Sequence, residues 1–280
     1  MEMSWISPKQ PLREYEVVPY RDPAPVKPQR TLRAFGRRLW ALLVAAGTFL
    51  LKFGAVLYKL KVVAVAGSMI VSVGAYALLG GWWFGVGLVG LIFVHEMGHV
   101  LALRRQGVPA TAPLFIPFMG AVIGMKKMPE NAWREAEVAL AGPLLGSLGA
   151  AAVWAAGDYY HSRFLVALAF VGFLINLFNL IPLVPLDGGR AVAALHPAIW
   201  LLGLVGLIAL TVLRPSPILP IIIVIGGLEL RRRWKTRKLP GFASYYRVTG
   251  WQRTAVATAY LGLVVLLVVA MNATHVPNSL

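Results

Sequence analysis

Long apolar runs, most of them near the ~20 residues that a helix needs to cross a bilayer core, divide this chain. They predict spanning helices over 62–79, 82–103, 136–156, 164–184, 191–213, 218–230 and 254–271. Residues 40–60 are also apolar but carry Lys52 and Lys59 on one helical face, so they read as an interfacial helix or a first membrane helix. Residues 107–127 break the pattern, with Pro109, Pro113 and Pro117 followed by Gly120 and Gly124. Prolines so spaced exclude a regular helix. A re-entrant, strand-like loop is expected instead, entering and leaving on one side. Non-helical backbone at membrane depth must lie against protein or a watery cavity, so this loop is expected to line one. The fold class that follows is an all-α polytopic membrane protein: a bundle of six or seven transmembrane helices with a strand-like re-entrant loop. The expected organisation is a basic, proline-rich tail (1–38), the ambiguous helix (39–61), a membrane core (62–230), a basic loop (231–253), and a last helix with its tail (254–280). No apolar core with a cleavage site opens the chain, so no secretory signal is read there.

Composition supports this picture. The chain is 58% hydrophobic and 14% charged, against about 45–50% and 25% in average soluble chains. A net charge of +16 would otherwise raise nucleic acid as a partner, but the basic clusters fall between apolar runs and mark cytoplasmic loops. With the N-terminus in the cytoplasm, only Arg163 and Arg214 of the 27 basic residues lie outside; the opposite orientation inverts that bias. Cysteine is absent, which excludes disulfides and thiolate metal sites.

The chemistry lies in His95-Glu96-Met97-Gly98-His99. Residues four apart share a helix face, so both imidazoles can bind one zinc ion while Glu96 reaches the reacting water. An ionisable pentad inside an apolar span is functional by default. Zinc hydrolases usually take three protein ligands, and the acids near a membrane face are Glu130, Glu135, Glu137, Asp158, Asp187 and Glu229. Asp187 is the best placed: it follows an apolar run and precedes Gly188-Gly189. His95 and His99 lie roughly 8–14 Å before Arg104 along a helix, and Asp187 is three residues before Arg190. Both groups fall in the cytoplasmic half if 107–127 does not cross. The Gly142–Gly146 pair reads as helix packing. His161, His196 and His275 lie away from the deduced site, with His196 either structural or a support to a ligand. Trp82, Trp83 and Trp200 read as interface anchors. The Tyr245-Tyr246-Arg247 run has no reading from sequence.

HEMGH (95–99), AGPLLG (141–146) and NLIPLVPLDGG (179–189) together resemble the site-2 protease family of intramembrane zinc metalloproteases, over about residues 62–230. The resemblance implies one zinc ion per chain held by His95, His99 and Asp187. Glu96 would be the general base, and Asn179 would assist substrate or oxyanion binding. The loop around Phe118, Met119 and Gly120 would bind an extended substrate, and helices 82–103, 136–156 and 164–184 would form the core. Gly146 departs from the family, where many relatives carry Asn; a packing difference is expected there. No PDZ or CBS module fits. The implied function is hydrolysis of peptide bonds in or near transmembrane segments of a membrane protein substrate, within the lipid bilayer. A bacterial cytoplasmic membrane is the expected location, and the oligomeric state stays open. Two other classes compete: an ion transporter, against which no internal repeat is found, and an inactive scaffold, against which Glu96 stands.

Overall fold

The computed structural model describes residues 61–275 except 126, 197, 217, 237–238 and 240–243, plus scattered positions between 37 and 52. The chain divides into two units, Met1–Ala55 and Val56–Leu280. In the first, the described positions are helical, and Thr48 donates to the Val44 carbonyl at 2.8 Å. The basic tail and most of the ambiguous 39–61 segment lie outside the described residues.

The second unit is built almost wholly of helices. Helix α1 (Lys61–Arg105) is interrupted at Gly80 and Gly81. Unbroken, it would be roughly 68 Å long, about twice a bilayer core. Gly81 has φ 82°, a conformation that glycine adopts without the Cβ penalty. The two arms, 61–79 and 82–105, match the two predicted helices. They lie side by side, because Phe115 touches Ser68 on the first arm and Phe93 on the second.

The proline-rich segment is a hairpin. Strands β1 (Leu114–Ile116) and β2 (Gly120–Val122) pair antiparallel, with Leu114 opposite Val122 and Ile116 opposite Gly120. Met119 N–H donates to the Ile116 carbonyl, closing a turn with Pro117 second and Phe118 third at φ 62°, the pattern of a type II turn. A bulky residue in that region is strained. Tyr76 holds it: the two rings meet edge to face at 5.5 Å, and backbone groups of Phe118 and Gly120 hydrogen-bond the Tyr76 hydroxyl.

Helix α2 (Ala132–Tyr159) starts at the Asn131 cap and α3 (Arg163–Asn179) at the Ser162 cap. The sequence predicts α3 to run to Val184, but it ends at Asn179, because Pro182 and Pro185 cannot donate the bonds that would extend it. A turn holding the buried Leu183 and Val184 leads to α4 (Asp187–Ala191) and a 3₁₀ turn (Val192–Ala194). The predicted span 191–213 is therefore broken: Val192, Ala193 and Ala194 are buried in protein, and the next helix, α5 (Ile199–Leu213), has only 15 residues. Trp200, read above as an interface anchor, is fully buried and donates to the Gly189 carbonyl at 2.7 Å. Helix α6 (Ile218–Thr236) outruns its predicted end and carries Arg231–Lys235 on its last turns. Helix α7 (Gly250–Thr274) opens on a Thr249/Gln252 capping box.

Three of these helices are long and apolar enough to cross a bilayer: Val63–Arg105, Ala132–Tyr159 and Gly250–Thr274, the first as two arms. Two shorter apolar helices, Arg163–Asn179 and Ile199–Leu213, join them. Their outward faces are apolar, with Ile70, Val71, Leu148, Leu202 and Val265 all exposed. Lipid is the solvent that accepts such a surface. This is an all-α membrane protein. Its main core joins Leu88, Leu91 and Ile92 of α1 to Ala150 of α2, Phe173 of α3 and Leu267 of α7.

Candidate metal centre

His95 and His99 stand one turn apart on the second arm of α1. Their Nε2 atoms are 3.2 Å apart, and each is 3.1 Å from Asp187 Oδ2. All three side chains are buried. In a tetrahedral zinc site with bonds near 2.0 Å, neighbouring donor atoms lie about 3.3 Å apart. The three atoms thus form one face of such a tetrahedron.

Hydrogen bonds set the imidazole tautomers. The Gly172 carbonyl can only accept, so the Asn176 atom 2.8 Å from it is the amide Nδ2. Asn176 Oδ1 then faces His95 Nδ1 at 2.8 Å. That oxygen can only accept, so His95 Nδ1 bears the proton. His99 Nδ1 likewise donates to the Val138 carbonyl at 2.8 Å. A neutral imidazole has one N–H, which leaves both Nε2 atoms as lone pairs aimed at the Asp187 carboxylate. Three electron-rich atoms so close repel one another unless a cation lies among them. The buried group can hold a divalent metal ion.

Local sequence explains how the three meet. A Cβ on Gly98 would strike the Ala141 carbonyl, and one on Gly142 would fall on the His99 ring. The two glycines let α1 and α2 approach until Val138 reaches His99. Asp187 is the first residue of α4, delivered by the proline-interrupted turn after α3. That turn is tied down by Tyr260 of α7, whose hydroxyl donates to the Leu180 carbonyl.

Residues 83–161 match the family model described as Peptidase family M50. The "Putative zinc metalloprotease Rip3" of Mycobacterium tuberculosis (strain H37Rv) is 36% identical over 137 residues, which cover 44% of this chain and 34% of that protein. The "Zinc metalloprotease MJ0392" of Methanocaldococcus jannaschii is 28% identical over 109 residues, 37% of this chain and 31% of that protein. Over these residues the chain is similar to peptidase family M50. It spans about a third of the length of each of these relatives.

The other expected site residues are placed as follows. Glu96 is buried beside the group, within electrostatic reach of His95, His99, Asp187 and Arg190. Asn179 caps no part of the triad; its Nδ2 donates back to the Ile175 carbonyl at 3.1 Å, on the last turn of α3. Phe118, Met119 and Gly120 form the hairpin turn; the Phe118 ring and the backbone of Phe118 and Gly120 meet Tyr76, while the Met119 side chain is exposed. His196 is exposed and accepts from Ala198 N–H. His161 lies in the α2–α3 turn with φ 48°, and His275 meets Phe170 edge to face.

Two features of the membrane core escape a reading by motif. Asn176 supports His95, and its only sequence signal is an amide inside an apolar helix. Glu135, fully buried at the start of α2, joins four segments. It accepts from Arg190 Nε at 3.4 Å, from Arg233 Nη2 at 3.1 Å and from the Tyr245 hydroxyl at 2.8 Å. Burial first, then the Glu135 carboxylate, push the Tyr245 hydroxyl well above the ordinary tyrosine range, so it serves as a donor. Arg190 is also 3.9 Å from Asp187 Oδ1. The hub thereby braces the helix that presents Asp187.

Proposed function

We propose that this chain is a zinc-dependent intramembrane endopeptidase of the site-2 protease type, cutting peptide bonds in or near transmembrane segments of membrane protein substrates. The observation that carries the reading is the buried face of two imidazole lone pairs and one carboxylate oxygen, 3.1–3.2 Å apart, set among helices apolar enough to span a bilayer. His95, His99 and Asp187 would hold one zinc ion per chain, as the names of the relatives suggest.

Bound zinc supplies Lewis acidity, which makes a water acidic and a carbonyl electrophilic. Glu96, beside the triad, takes the water proton and passes it to the leaving amine. Asn179 donates to the developing oxyanion with the amide N–H not spent on Ile175. The substrate must be extended, because a helix hides its carbonyls in internal bonds. Phe115 N–H of β1 is taken by Ser68 Oγ, so β2 is the strand that pairs with the substrate, with Phe118, Met119 and Gly120 guiding its entry. The remaining assignments are a multi-pass protein with a cytoplasmic N-terminus, in a bacterial cytoplasmic membrane.

The test joins metal content to cleavage. Purified protein is expected to hold one zinc per chain. Membranes carrying Glu96→Gln should accumulate transmembrane proteins that the wild type removes, while zinc stays bound. Equal membrane proteomes, or a metal-free wild type, would reject the reading.

A further inference from the structure

We infer that Asn176 is a positioning residue for the ligand His95, and that Gly146 is the vacancy that admits its amide. The inference rests on the metal-site reading above. Asn176 sits in the apolar run of α3 and is 2% exposed. A buried amide is costly unless its polar atoms are paired. The helix satisfies only the Nδ2 side, through Gly172. The Oδ1 side is satisfied by His95 Nδ1–H, at 2.8 Å from a helix 81 residues away in sequence. The amide therefore does for His95 what the Val138 carbonyl does for His99: it holds the proton on Nδ1, fixes the ring plane and keeps Nε2 free for a metal.

Gly146 completes the device. A Cβ there would meet Oδ1, Nδ2 and Cγ of Asn176, so the amide lies close against the α2 backbone at Gly146. The amide occupies the place that a side chain at 146 would fill. An amide rooted at 146, with a small residue at 176, would then present its oxygen to the same imidazole from the opposite helix.

The experiment is zinc affinity of the purified full-length chain, measured by competition with a chromophoric chelator, alongside unfolding of the metal-free protein. Asn176→Leu keeps the volume and removes the acceptor; it should weaken zinc binding about 10–100-fold, the usual cost of losing such a support. Asn176→Asp keeps an acceptor and should bind within about threefold of wild type on the same scale. Adding Gly146→Asn to Asn176→Ala should recover most of the affinity that Asn176→Ala alone loses. A merely structural role would not follow the acceptor in this way. Wild-type affinity in Asn176→Leu, or an Asn176→Asp protein as weak as Asn176→Leu, overturns the inference while the triad reading stands. If the wild type binds no zinc, both fall together.

Discussion

A single absent methyl group governs His99. The ring occupies the space into which a Cβ at Gly142 would project, against Nε2, Cε1 and Cδ2, so the helix contact and the ligand position are one constraint. Gly142→Ala should displace the imidazole, destabilise the protein by about 1–3 kcal/mol as overpacking does, and lower zinc to well under one per chain. Gly90→Ala, where nothing lies within 4 Å of the added carbon, is the control and should keep its zinc. Elemental analysis and detergent-phase unfolding read both. At this scale the sequence is informative where chemistry forces an identity. His95, Glu96 and His99 share a helix face, and Asp187 precedes a double glycine. Asn176 was illegible by motif, because an amide three residues from Asn179 has nothing in its spacing to say which of the two faces an imidazole. Only the crossing of α1 and α3 decides that.

The elements are joined by the Glu135 hub, which ties α2 to α4, α6 and the segment before α7. Removing its carboxylate leaves the half-buried Arg190 and Arg233 with less compensation, and breaking a buried pair from one side costs about 3–5 kcal/mol. Glu135→Gln should accordingly lower the unfolding midpoint clearly. Arg232→Gln, whose side chain is exposed beside Glu229, should barely move it. Element boundaries were legible where backbone chemistry speaks. The double glycine ended the first arm of α1, and three prolines produced a hairpin in place of a helix. They were illegible where only apolarity speaks. Val192, Ala193 and Ala194 are as apolar as any spanning residue, yet they are buried in protein and not in lipid. Apolar content records exclusion from water without recording what does the excluding. The same ambiguity made Trp200 look like an anchor when its indole serves Gly189.

For the whole molecule, the arrangement of basic residues makes a directional prediction. The natural chain has no cysteine, so single cysteines report topology without background. A thiol at exposed His161, in the α2–α3 turn, should react with a membrane-impermeant maleimide added outside intact cells. One at exposed Lys235, on the last turn of α6, should react only after the membrane is opened. The opposite pattern would invert the proposed orientation. The long separation of the three candidate ligands has another consequence, in time. A ribosome that has delivered His99 still has 88 residues to add before Asp187 exists, roughly 4–18 s at ordinary elongation rates. Throughout that interval the nascent protein has its histidine pair and its glutamate but not the third donor, so the proposed peptidase would pass its insertion unarmed.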